Sequence, residues 1–225
     1  MKKIDLTKIP YFDKIFITII VLISILLWNS IIIYPIKIFV VLLHEISHGL
    51  IALLTGGTIE KIEIDFNLGG SCNIINGNYL FIAFAGYLGS LFWGSLLFLF
   101  AFDKNKLKYF STFLSFLFLY FVANYISGII GIIFSLFYIV ILFIFPRYFS
   151  YKANKLFFAS VGLTSCLYVL TDIKEDIFVT EFRVTDAQLL SEYIGLSPFF
   201  WGTIWLLISI AVVFYIVRLK LFKIN

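Results

Sequence analysis

The chain has 225 residues, of which 62% are apolar and 13% charged, the latter about half the share of a soluble domain. At roughly 20 residues per membrane-spanning helix, the apolar inventory suffices for about seven spans. This excludes a soluble globular domain, a disordered chain and a nucleic-acid-binding module. The net charge of +4 comes from Lys and Arg lying between apolar runs, so it bears on topology and forms no basic face.

In chain order, Lys2, Lys3, Lys8 and Lys14 precede an apolar run over 15–34. The run is long and no small-x-small cleavage site follows it, which predicts an uncleaved first span. Pro35 suits the first turn of a second helix over 36–54, and Gly56 and Gly57 supply its left-handed stop. Further spans are predicted over 79–102, 109–123, 126–145, 156–171 and 198–219. Between the second and third, Lys61, Glu63 and Asp65 alternate with Ile62, Ile64 and Phe66, and Gly69-Gly70 precedes a second short run. That pattern predicts a β-hairpin over 61–75.

The segment 173–197 is acidic and interfacial. Thr185 and Gln188 have capping-box spacing, and Gly195 and Pro198 close a short helix. Asp186 reads there as a first-turn acid in preference to a ligand. The predicted fold is thus an all-α polytopic membrane protein, one domain over 1–225, with about seven transmembrane helices and a small β-hairpin after the second.

Both histidines of the chain flank Glu45 in His44-Glu45-Ile46-Ser47-His48. Residues four apart share one helix face, so both imidazoles can point at a single ion. Glu45 stands where such sites place a general base. Counting about 1.5 Å per residue, His44 is about 12 Å from the start of its helix and His48 about 9 Å from its end. A carboxylate at that depth costs about 2.5–3.5 kcal/mol and marks function by default.

One Zn2+ ion is therefore expected on His44 and His48, with a third protein ligand and an open position. Cys72 and Cys166 form no CxxC, and no third histidine exists, so the third ligand should be a carboxylate. Asp172 directly ends the apolar run over 156–171 and is the first candidate; Asp176, one turn on, is the runner-up. Four spans separate the loops that follow the second and sixth helices, so both helices end on one side. Gly86, Ser90 and Gly94 form a small-xxx-small stripe for close packing, and Asn124 is a lone polar group between apolar runs.

These residues resemble the site-2 protease family of intramembrane zinc metallopeptidases, in its short branch without a PDZ domain. The likeness rests on H-E-I-S-H-G-L at 44–50, Gly56-Gly57 with the hairpin, A-G-Y-L-G-S at 85–90, C-L-Y-V-L-T-D-I at 166–173 and T-D-A-Q-L-L at 185–190. It implies that His44 and His48 bind zinc, that Glu45 activates water and that an Asp on a later helix completes the site. Where the family often has Asp-Gly, this chain has Asp172-Ile173. The implied activity is hydrolysis of peptide bonds in or near membrane-spanning segments of other membrane proteins. A catalytically silent zinc-binding scaffold and an ion transporter are the alternatives.

The resemblance also implies that the hairpin side is cytoplasmic, whereas Lys and Arg, divided ten to seven between the sides, give contradictory votes. A substrate helix must be unwound before it can be cut. The edge of the first hairpin strand, at Ile62 and Ile64, is the expected place for it to pair as an added strand.

Overall fold

The computed structural model describes residues 12–28, 30–178 and 185–221, the side chains of 172 and 174–178 excepted. Its elements in order are α1 (Phe12–Leu26), α2 (Tyr34–Leu54), β1 (Thr58–Ile64), β2 (Gly70–Ile75), α3 (Tyr79–Phe100), α4 (Lys104–Asn124), β3 (Ile126–Ser127), α5 (Ile129–Tyr148), α6 (Tyr151–Phe178), α7 (Asp186–Ile194) and α8 (Pro198–Leu221). Among the described residues, six helices are long and apolar enough to cross a membrane: α2, α3, α4, α5, α6 and α8. The protein is a polytopic, predominantly α-helical membrane protein.

The expected first span is corrected. α1 has 15 residues, about 22 Å at helical rise, which is short of a bilayer core of about 30 Å. The expectation of an unbroken run over 15–34 fails because the only polar mark after Leu26, Asn29-Ser30, is outweighed by the apolar Ile31, Ile32 and Ile33 that follow it. α1 lies parallel to α6: Asp13 pairs with Lys155 and, at 3.9 Å, with Lys152, while the Trp28 ring packs tilted against Tyr168 at 5.2 Å. α1 and α2 therefore rise in the same direction, and α1 adds no reversal of the chain.

α2 ends as its glycines dictate. Gly56 has φ +83, and the Gly57 amide donates to Ala52 O at 2.8 Å, satisfying a terminal carbonyl. The hairpin then folds back along α2. At its tip Asp65 Oδ1 accepts from the amides of Asn67 (2.7 Å) and Gly69 (2.9 Å), and Tyr34 Oη, in the first turn of α2, donates to Phe66 O at 3.0 Å. β1 pairs antiparallel with β2 in the register Ile62↔Cys72 and Ile64↔Gly70. The sheet has a third member, β3, parallel to β1 at Ile62↔Ile126 and Glu63↔Ser127.

α3 lies against α2 on one side and α6 on the other. Trp93 Nε1 donates to Ser47 Oγ at 3.1 Å, and Ser47 Oγ donates to Leu43 O at 2.6 Å. On the far side, a Cβ built on Gly162 would meet Phe98 N at 2.6 Å, so only glycine allows α6 that close. The α4–α5 pair is joined through Ser115 Oγ, which donates to Ile139 O at 2.9 Å. Asn124 is spent locally, its Nδ2 donating to Tyr120 O at 2.8 Å.

Candidate metal centre

His44 and His48 project from one face of α2 with ring centroids 4.7 Å apart. Their ring environments come from α3. His48 Nδ1 lies 2.7 Å from Ile82 O; a carbonyl only accepts, so Nδ1 donates and Nε2 carries the lone pair. Tyr87 meets the His44 ring edge-on at 5.0 Å and is backed by Trp205 at 4.8 Å.

The third group is Asp186. Its Oδ2 lies 3.2 Å from His44 Nε2 and its Oδ1 lies 3.3 Å from His48 Nε2. One ligand atom from each of the three side chains lies within 4.8 Å of the others. The predicted capping box places it: Thr185 Oγ1 accepts from the Gln188 amide at 3.3 Å and Gln188 Oε1 accepts from the Thr185 amide at 3.0 Å. Gly195, φ +82, closes α7. Asp186 is thus a first-turn acid as read from the sequence, and it is also the carboxylate that faces both imidazoles. Burial alone would raise its pKa, but the two imidazoles outweigh burial and hold the carboxyl below its ordinary range.

These residues fit a divalent metal. A lone pair on His48 Nε2 facing an ionised carboxylate oxygen at 3.3 Å is repulsive unless a proton or a cation lies between them. Two imidazole nitrogens and one carboxylate oxygen form a donor set of catalytic zinc sites. Gly86 keeps the space open, since a Cβ there would collide with His44 Nε2 and meet Asp186 Oδ2 at 2.5 Å.

Glu45 is 6% exposed and presses on the start of β2, where a Cβ on Gly70 would collide with its Oε1. A cavity of about 390 Å³ opens beside these groups, lined by Glu45, Gly70 and Cys72 on one side and by Leu189 and Tyr193 of α7 on the other. Burial, and secondarily the Glu45 charge, push the Cys72 thiol far above its usual range.

The structure therefore brings His44, Glu45, His48 and Asp186 together. The side chains of Asp172 and Asp176 lie outside the described residues. Asp172 does directly follow the apolar stretch of α6, which ends at Thr171, although the helix itself continues through it to Phe178. The sequence reading missed Asp186 as a ligand; the signal that could have found it is the capping box, which puts a carboxylate at the start of a helix after α6, on the side where α2 ends.

Ile62 and Ile64 are also corrected as edge residues. They are 0% and 4% exposed on β1, the middle strand of the order β2-β1-β3, and the Ile62 amide already donates to Tyr125 O at 2.8 Å. The open edge is β2. In an antiparallel pair, opposed residues send their backbone groups either both toward or both away from the partner strand. Ile62 points outward, to Tyr125, so its partner Cys72 points outward on the other side, and so does Gly70 two residues earlier.

Fold and site together define a membrane-embedded helical protein with two histidines and a carboxylate converging next to a buried glutamate. The chain belongs to the Peptidase M50B-like family, whose model matches residues 17–216; this is the site-2 protease family, one of membrane metallopeptidases. No curated protein and no solved structure matches it.

Proposed function

We propose that the protein is an intramembrane zinc metalloprotease that hydrolyses peptide bonds in or near membrane-spanning segments of other membrane proteins. The observation that carries this reading is the convergence of His44, His48 and Asp186 beside Glu45, in a bundle of membrane helices. His44 precedes Leu54, the end of α2, by about 15 Å of helix, roughly half the hydrocarbon thickness.

His44, His48 and Asp186 would hold the zinc. When bound, zinc supplies a Lewis acid that polarises the scissile carbonyl and lowers the pKa of water. Glu45 takes the proton of the attacking water and passes it to the leaving amine. The Ile82 carbonyl fixes the His48 tautomer, and Tyr87 braces the His44 ring. Purified wild type is expected to contain about one zinc and to cut a reconstituted transmembrane substrate, with both properties lost in His44→Ala. Equal zinc in the two proteins, or a zinc-loaded wild type that cuts no membrane substrate, overturns the reading.

The unwound substrate would pair as an extended strand on β2, against the outward backbone groups of Gly70 and Cys72, with α7 across the cavity. Each such bond contributes only about 1 kcal/mol net, so pairing would tolerate many sequences. Proline is tolerated in an edge strand where its missing N–H faces away from the ladder. Cys72→Pro is therefore expected to keep zinc and lose most cleavage of a membrane substrate. Undiminished cleavage by this variant would refute presentation on β2.

A further inference from the structure

α2 begins partway along the bundle and leaves space below its first turn. Tyr138 Oη donates to Pro35 O and the Tyr138 ring meets Phe39 at 4.9 Å. Tyr138 stands near the middle of α5, so the start of α2 is level with the middle of a membrane-spanning helix. Toward the end of the bundle where α6 starts, the space under that turn is bounded by α1, α5 and α6. A cavity of about 440 Å³ lies there between Phe16 and Ile20 of α1 and one face of α6. A second, of about 160 Å³, lies against Ile141 and Leu142 of α5. Ile36, Phe157 and Val161 border both, so the two are neighbouring lobes of one crevice. The larger lobe alone has the size of a small-molecule site, about 300–1,000 Å³.

The α6 face in the larger lobe is Ala153, Leu156, Phe157, Ser160, Val161 and Thr164, the spacing of a single helix face. Ser160 and Thr164 are the two polar side chains of that lining. They are 6% and 1% exposed, and among the described residues neither hydroxyl has a hydrogen-bond partner. A helical hydroxyl can bond back to the carbonyl four residues earlier; Ser165, on another face of α6, does so to Val161 O at 2.8 Å. A buried hydroxyl without a partner is costly, the more so where hydrocarbon stands in place of water. By turning about χ1 between staggered wells, each can meet an acceptor that enters the crevice.

That acceptor has to come from the membrane. A neighbouring transmembrane helix offers little, because its carbonyls are bonded within the helix. A glycerophospholipid carries free ester carbonyls at the heads of its acyl chains, and the chains suit the remaining apolar walls. Lys155 precedes Ser160 by five residues, about 7.5 Å of helix, and Lys152 lies one turn before it. The two lysines share Asp13, and two cations against one anion leave a surplus positive charge for a phosphate. We infer that the crevice binds one glycerophospholipid. Its acyl chain lies between α1 and α6 and under Ile36, one ester carbonyl accepts from Ser160 and Thr164, and its phosphate meets Lys152 and Lys155. The site is separate from the metal centre and does not depend on the proposed chemistry.

Two phosphatidylglycerols with the same headgroup and chain length, one ester-linked and one ether-linked, test the carbonyl contact. The ether form lacks the acceptor. In titrations of the detergent-solubilised full chain followed by native mass spectrometry, wild type is expected to bind the ester lipid about 30-fold more tightly, the weight of two neutral hydrogen bonds. Ser160→Ala/Thr164→Val nearly keeps the volume and removes both donors, so it is expected to bind the two lipids alike. Equal binding of both by wild type leaves the hydroxyls to water and overturns the inference, as does an ester preference that survives in the variant. Position is read in wild type alone. A phosphatidylglycerol with a photoreactive diazirine midway along its acyl chain is expected to label the peptides that hold Phe16 or Phe157, and labelling confined to other segments refutes the site.

Discussion

Asp186→Asn should leave the protein folded and strip it of metal, while Asp172→Asn keeps its metal. The asparagine preserves side-chain shape, and the helix start remains capped by Thr185 and Gln188. What it removes is the anion facing both Nε2 atoms at 3.2 and 3.3 Å. Loss of a partner that merely orients a ligand costs about 10–100-fold in metal affinity; loss of a direct ligand should cost at least the upper end of that range. Zinc content of the two purified variants, with a chelator competition to obtain the affinity ratio, gives the comparison. Full zinc in Asp186→Asn and none in Asp172→Asn would return the third ligand to α6.

Glu45→Gln should hold zinc as wild type does and lose about 10²–10⁴-fold in turnover, the usual weight of a general acid–base group. Glutamine fills the same volume against Gly70, where Glu45 leaves no room for a side chain, so the β2 approach to α2 is kept. It cannot accept the proton that the reaction must move. The effect should lie in kcat with KM little changed, because the lost interaction is made in the transition state. A variant that binds zinc and cleaves at the wild-type rate would remove Glu45 from the mechanism.

Local signals were the legible part of this chain. The histidine pair, the glycine stop of α2, the alternation of the hairpin and the capping box at Thr185 each involve residues within a few positions of one another, and each formed where its pattern placed it. The misreadings share a cause too. Ile31 and Ile32, 79% and 67% exposed, are as apolar in the turn after α1 as in a span, so the brief dip at Asn29-Ser30 does not stand out as a break. In α6, Lys174, Glu175 and Asp176 resemble an interface, yet the helix runs on through them. The Asp186 contact joins residues of α2 and α7 that are remote in sequence, and the packing of α3 against both, with α8 behind α7, brings them together. Likewise β3, two residues long, has no periodicity to read, although it decides which hairpin edge stays open.

That two-residue strand has a consequence for hydration. A sheet edge facing hydrocarbon leaves N–H and C=O groups unmet, at a cost of several kcal/mol for each group. β3 covers the outer side of β1 at Ile62 and Glu63, so the sheet retains one open side, and that side borders the cavity between β2 and α7. The outward backbone groups of Gly70 and Cys72 border that cavity, where water or another chain can meet them. On the proposed function, the same strand geometry that would take an extended polypeptide would also hold the second reactant, water, beside Glu45 at a depth where the bilayer itself holds almost none.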